Sequence, residues 1–315
     1  MAAGGRFPVR PFRFGVQANG AASAAEWRDL AKRAEAAGYD ALTMPDHFTE
    51  QLAPVPALMA AADATERLRI GALVWDNDYK HPVVLAKELA TMDVLSGGRL
   101  EIGIGAGWMQ TDYDQAGIPY DPAPVRIDRM IEGIEVIRGC MAPGPFSFSG
   151  THYTITGYEG LPKPLSRPPL LVGGGGPRML RYAARQADIV GVNPVLTSGR
   201  IDASTISSMS AEEVDAKVAI VHEAAGDRLA AIEMNIRAFL VAIGPDAAAA
   251  TEGVSAMVGV PESMVAASPF ALVGPPTKLA EDLLARRERW GFSYVIVGGE
   301  NLDDFAPVVA ALAGR

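Results

Sequence analysis

Three stretches of the 315-residue chain gather groups able to do chemistry. In Pro45-Asp46-His47-Phe48 an acid precedes an imidazole, the side chain best suited to moving protons near neutral pH. Such a pair can hydrogen-bond a cofactor ring or hand over a proton. The structural alternative is an aspartate capping a turn beside an exposed histidine. Gly103-Ile104-Gly105-Ala106-Gly107-Trp108 combines glycines, which let a flat ring approach the backbone, with an indole that can wall a pocket. A tight turn carrying a core tryptophan would read the same way. Gly173-Gly174-Gly175-Gly176-Pro177 places a proline at the first turn of a helix, so several N–H groups stand at the positive end of a helix dipole, as a phosphate site requires. The alternative is a flexible loop, but so many glycines are costly to order without a ligand.

Other chemistries lack their residues. Cys140 is the one cysteine, which excludes an intrachain disulfide and a thiolate metal cluster; a buried, inert thiol is expected there. His47, His81, His152 and His222 are scattered, with no zinc-binding spacing, and His152 and His222 read as surface residues. Neither a G-x-S-x-G nucleophile motif nor a Walker loop occurs. The net charge of -9, without a basic stripe, argues against nucleic acid and anionic membrane as partners. No run of about 18 apolar residues and no secretory h-region is found, so a cytoplasmic protein with a small-molecule substrate is expected.

The elements that must position these stretches alternate along the chain. With 49% apolar and 21% charged residues the chain can bury a large core. Strands are expected at Phe12 to Gln17, Asp40 to Met44, Leu68 to Val74, Leu100 to Ile104, Pro169 to Val172, Asp188 to Val192, about Ile232 to Val241, and Ser293 to Val297. Between them, Ser23-x-x-Glu26 forms a capping box for a helix bearing Trp27, Leu30, Ala31 and Ala34 on one face. A second helix is expected around Ala57 to Thr65. A polar loop, Asp76 to His81, leads to Pro82 and a helix with Leu85, Leu89, Met92 and Leu95. Ile127, Met130, Ile131, Ile134 and Ile137 mark another helix, and Phe146 to Tyr158 reads as an inserted hairpin. Eight strands, mostly followed by helices, predict one α/β domain over 1–315, a (β/α)8 TIM barrel with insertions at about 141–167 and 194–208. A doubly wound open sheet ranks second, because Val16-Gln17-Ala18-Asn19-Gly20 is not a dinucleotide-binding turn. Barrel active sites form where strands end at their C-termini, and all three stretches fall there.

Taken together these motifs resemble the luciferase-like flavin and deazaflavin oxidoreductases, and within them an actinobacterial F420-dependent subgroup. The likeness runs from Phe12-Arg13-Phe14-Gly15-Val16-Gln17 to the C-terminus. It rests on Met44 to Phe48, Val74 to Asp78 with His81-Pro82, Asp93 to Leu100, Gly103 to Trp108 and Gly173 to Pro177. The resemblance implies a cofactor ring across the barrel mouth, supported by a non-prolyl cis peptide at Leu73-Val74. It implies Asp46 and His47 beside the reactive edge, with Asp46 orienting the imidazole or bonding the ring. It further implies cofactor contacts from Asp76, Gly107, Trp108 and Asn193, and a phosphate held by Gly173, Gly174, Gly175 and Gly176. A homodimer is implied as well. One departure matters: Trp108 stands where the family's sugar-phosphate dehydrogenases carry a glutamate proton donor, and no basic residue accompanies Asn193-Pro194-Val195. Glucose 6-phosphate is therefore not the expected substrate. The expected activity is hydride transfer between coenzyme F420 and a small organic substrate, with His47 as proton donor or ring anchor. An FMN-dependent monooxygenase is the alternative, and a non-catalytic deazaflavin-binding protein the third reading. Val260 to Phe270 and the hairpin are candidate lids.

Overall fold

A computed structural model describes residues 7–196, 198–244 and 247–315. Thr197, within the expected insertion 194–208, lies outside the described residues. Eight parallel strands form the centre: β1 (Arg13–Gln17), β2 (Ala41–Met44), β3 (Arg69–Ala72), β4 (Leu100–Gly105), β5 (Leu170–Gly174), β6 (Ile189–Val192), β7 (Glu233–Arg237) and β8 (Phe292–Gly298). Neighbours pair in sequence order, and β1 pairs with β8 to close the ring. After an interruption at Leu73–Val74, β3 resumes as Trp75–Asp76 along the end of β4. Helices follow the strands: α1 (Ala24–Ala36), α2 (Pro54–Asp63), α3 (Pro82–Leu95), α4 (Gln110–Ala116), α5 (Ala123–Met141), α6 (Pro177–Gln186), α7 (Ala203–Ser207), α8 (Ala211–Ala225), α9 (Ala247–Val258), α10 (Glu262–Ala267), α11 (Pro276–Trp290) and α12 (Leu302–Leu312). This is the expected (β/α)8 barrel.

The two faces of each strand differ in kind. Outward residues such as Phe14, Val16, Leu42, Ile70, Ile102, Val172, Val190 and Ile236 join helix residues in one apolar core. Inward positions are small or polar, with a compact apolar cluster of Ala41, Leu171, Ile189, Tyr294 and Ile296. At the N-terminal end the lumen is closed by ion pairs. Glu101 accepts from Arg13 and Arg69, both at 2.7 Å, and from the Tyr294 hydroxyl at 3.2 Å, while Arg13 also pairs with Glu233. Towards the C-terminal end several inward positions, Gly103, Gly105, Gly173 and Gly191, carry no side chain. A Cβ at Gly103 would stand 2.3 Å from the Ala72 carbonyl oxygen. Glycine thus lets the backbones approach closely there.

The local boundaries differ from the sequence reading in three instructive places. Helix α2 starts at Pro54 rather than near Ala57, because two prolines fit a first turn whose N–H groups have no helical partner. Strand β5 runs through Gly173 and Gly174, so only Gly175 and Gly176 form the turn. The single long seventh strand is two strands. β7 ends at Arg237, and Leu240–Ile243 pairs instead with Ala271–Gly274 outside the barrel. An unbroken apolar run hides that switch, since periodicity carries no information about which neighbour an N–H will find. The hairpin forms as expected, Phe146–Ser149 against Thr154–Tyr158. Its tip is fastened by Glu132, which accepts from the Thr151, His152 and Tyr153 N–H groups. In the 260–270 segment, α10 is flanked by a buried Phe270 that stacks on Phe239. Among the described residues no helix is long and apolar enough to cross a membrane.

Candidate active site at the barrel mouth

His47 follows β2 and faces the turn after β4. Its Nδ1 lies 2.6 Å from Asp112 Oδ2, and its ring meets Trp108 edge to face at 5.7 Å. Asp112 sits near the start of α4 and is buried; the Tyr79 hydroxyl donates to the same oxygen at 3.0 Å. Burial, with the charges of Asp76 and Asp112 nearby, holds the Tyr79 phenol far above its usual range, so it remains a donor. A carboxylate at Nδ1 fixes that nitrogen as the N–H and leaves Nε2 as the working edge. Among the described residues Nε2 has no protein partner, and the side chain is 19% exposed.

Asp46 does not orient His47, as its adjacency in sequence suggests. Its Oδ2 accepts from the Asp76 N–H at 3.1 Å, tying β2 to the strand segment beyond the Leu73–Val74 bond. Both residues lie in irregular backbone beyond β2, and the imidazole takes its carboxylate from a distant helix. Burial raises the Asp46 carboxyl above the ordinary range, partly offset by that N–H and by Lys80.

The Leu73–Val74 peptide is cis, as expected. The Leu73 carbonyl accepts from Gln17 Nε2 at 2.9 Å, and Gln17 Oε1 in turn accepts from Arg237 Nε. Val74 Cγ1 lies 3.6 Å from where a Cβ on Gly173 would stand, so the cis bond and the glycine run are neighbours. In that run the glycines are demanded by close approach rather than by a left-handed backbone, for none of the four has positive φ. A Cβ would stand 2.8 Å from Asn193 Nδ2 at Gly173, 2.5 Å from Met179 Cβ at Gly174 and 2.1 Å from the Pro194 oxygen at Gly175. At Gly176, the N-cap of α6, nothing stands within 4 Å and no side chain caps the helix. The first helical bond is made by Leu180 to the Gly176 carbonyl, which leaves the preceding N–H groups open. Asn193 is held at the end of β6 by its N–H to the Gly174 carbonyl and by Lys217 on its own carbonyl.

Asp76 and the half-buried Gly107 pack against each other beside the end of β4. Asp76 is buried, accepts from the Tyr113 hydroxyl at 3.1 and 3.2 Å, and would lie 2.6 Å from a Cβ on Gly107, whose φ of +74° requires glycine. Burial, reinforced by the charge of Asp78, pushes the Asp76 carboxyl up to about 7. The native state therefore binds this proton more tightly than the unfolded chain, whose aspartates titrate near 3.8. The resulting stabilisation is complete below about pH 4 and is lost as pH rises through about 7. Urea denaturation across that window is expected to show a smaller pH slope for Asp76→Asn than for the unaltered protein; parallel slopes would remove Asp76 as the cause.

Several supporting residues gave no sequence signal. Asp112 and Tyr113 belong to a short helix without a clear apolar face. Arg126 lies one position before Ile127, where the sequence reading starts the periodic apolar pattern of α5. It is buried and donates to the Ala106 and Gly107 carbonyls at 3.3 Å, bracing the turn that carries Trp108. Tyr120 donates to the Trp108 carbonyl at 2.9 Å. Gln17 reads as an ordinary strand end, and Arg237 falls inside the expected strand Ile232 to Val241, which the structure ends at Arg237. A polar residue at an inward register position was the one cue available, and it appears only once the barrel closes.

The sequence pattern of the luciferase-like monooxygenase family matches residues 9–294. An FMNH(2)-dependent dimethylsulfone monooxygenase of Pseudomonas fluorescens is 30% identical over 68% of this chain and 57% of its own length. An F420-dependent glucose-6-phosphate dehydrogenase of Microbacterium testaceum is 30% identical over 60% of this chain and 58% of its own. The chain thus spans a little over half the length of these relatives. Among solved structures, the coenzyme F420-dependent tetrahydromethanopterin reductase of Methanopyrus kandleri superposes with a TM-score of 0.75 at 20% identity, covering 96% of this chain and 98% of that one. A long-chain alkane monooxygenase gives a TM-score of 0.75 at 14% identity, covering 96% of this chain and 92% of that one. These two likenesses show the fold.

Proposed function

Because the chain belongs to the luciferase-like monooxygenase family, whose relatives use F420 or FMNH(2), we propose that it is an F420-dependent oxidoreductase acting on a small organic substrate. One observation carries this reading: His47, clamped at Nδ1 by Asp112, offers a free Nε2 beside Trp108 at the mouth. Hydride transfer to or from a carbonyl–alcohol pair needs a proton moved at the oxygen, and a fixed imidazole is suited to that task. The residues present fit the cofactor. Gly175 and Gly176 with the uncapped start of α6 suit its phosphate, and the cis Leu73–Val74 peptide beside Gly173 offers a backbone platform for a planar ring. When bound, the deazaflavin supplies two-electron hydride chemistry at its C5.

The chain's own residues supply the rest. Asp112 and Tyr79 orient the imidazole, His47 Nε2 holds or receives the substrate proton, and Trp108 shelters that edge from water. Asp46 links the strands on either side of the ring site. The glycine cradle would equally take the phosphate of FMN, which keeps the monooxygenase reading as the alternative. Titrating the purified protein with both cofactors separates them. Micromolar binding of F420, with FMN at least tenfold weaker, is expected; the reverse order would overturn the proposal.

A further inference from the structure

The mouth holds a cation that the proton chemistry does not use. Arg237 ends β7 and points into the lumen, where its Nε donates to Gln17 and its Nη1 to the Ala238 carbonyl at 3.2 Å. Among the described residues its Nη2 has no hydrogen-bond partner and the guanidinium forms no ion pair. Glu300 attracts it only from a distance. The side chain is largely enclosed, and this desolvation lowers its affinity for the proton. Elsewhere in the lumen the rule is different, since Arg13 and Arg69 are paired with Glu101. A guanidinium taken out of water without a counter-ion is unfavourable unless an anion completes it. Beside it lies an apolar surface. The Arg237 guanidinium carbon is 4.7 Å from the centre of the Phe239 ring, and Phe239 is 50% exposed.

Resting on the oxidoreductase reading, we infer that the substrate is an organic acid whose carboxylate is anchored by Arg237, its apolar body lying against Phe239. The carboxylate is not the reacting group. It fixes the molecule on the β7 side of the mouth, with the Gln17–Leu73 contact setting the guanidinium's position relative to the cis peptide. The sequence reading looked for a basic residue near β6 and found none; the cation stands one strand further on. Guanidinium–carboxylate hydrogen bonds are charge-assisted, so a neutral isostere should be strongly disfavoured.

Benzoate and benzamide are suitable probes, followed by calorimetry with and without F420. The unaltered protein is expected to bind benzoate at least tenfold more tightly than benzamide. Arg237→Gln should abolish that preference, and Arg237→Lys should retain part of it, while F420 affinity changes less than twofold in both. Equal binding of the two probes by the unaltered protein, or a preference that survives in Arg237→Gln, overturns the inference. So does a loss of F420 affinity in Arg237→Gln as large as the loss of benzoate, since the guanidinium would then serve the cofactor. If the unaltered protein fails to bind F420, the oxidoreductase reading falls, yet the cofactor-free benzoate titration still decides the role of Arg237.

Discussion

His47→Ala is expected to lower turnover by about 10²–10⁴-fold, the usual contribution of a positioned acid–base group, while cofactor affinity changes far less. The asymmetry follows from geometry. The imidazole's fixed end faces Asp112, and its free end faces the mouth beside Trp108. It is thus placed to act on a proton, whereas the cofactor's phosphate is expected at α6, on the other side of the ring of strands. Asp112→Asn keeps the shape but no longer secures Nδ1 as the donor, so turnover should fall there as well, with cofactor binding preserved. Single-turnover kinetics beside a cofactor titration will check both variants. Equal loss of binding and turnover in His47→Ala would make the residue a ring anchor instead of a proton carrier, and unchanged turnover would remove it from the mechanism.

The second large effect is on stability. Glu101→Ala should destabilise the fold by about 3–5 kcal/mol, because removing one partner of a buried ion pair leaves the others uncompensated. Glu101 is buried and serves Arg13, Arg69 and Tyr294 together, so its loss leaves Arg69 without a carboxylate and the Tyr294 hydroxyl without its acceptor at the floor of the barrel. Arg13 keeps Glu233, which places the expected value toward the lower end of that range. Glu101→Gln, retaining an acceptor, should cost less. Equilibrium denaturation in urea measures the difference, and a change below about 1 kcal/mol for Glu101→Ala would mean that the floor is held by packing rather than by charge.

Alternating apolar runs, the N-cap at Ser23 (where Glu26 turns to the Ala22 N–H instead of closing the expected box) and the prolines at Pro82 and Pro177 were enough to set out a barrel, because each is a local preference written in neighbouring residues. The same locality explains the misplaced seventh strand: Leu240–Ile243 has the composition of a barrel strand but hydrogen-bonds to Ala271–Gly274. At the site, the motifs around Asp46, His47, Leu73, Trp108 and Gly173 to Gly176 were legible as candidates, since glycine runs and an acid–imidazole pair are conspicuous in a linear text. Their partners were not. Asp112 is 65 positions from His47, and Arg237 is 220 from Gln17.

What the amino-acid order determined unaided was the succession of strands and helices and the location of reactive residues at strand ends. Both follow from periodicity and from backbone preferences acting over a few residues. Which carboxylate holds the imidazole, which partners Arg237 finds in the lumen, and which glycines must stay small for lack of room were decided only by closure of the barrel. Closure brings inward-facing residues from remote strands within hydrogen-bonding distance and expels water from between them, so the energies that define the site exist only in the assembled lumen.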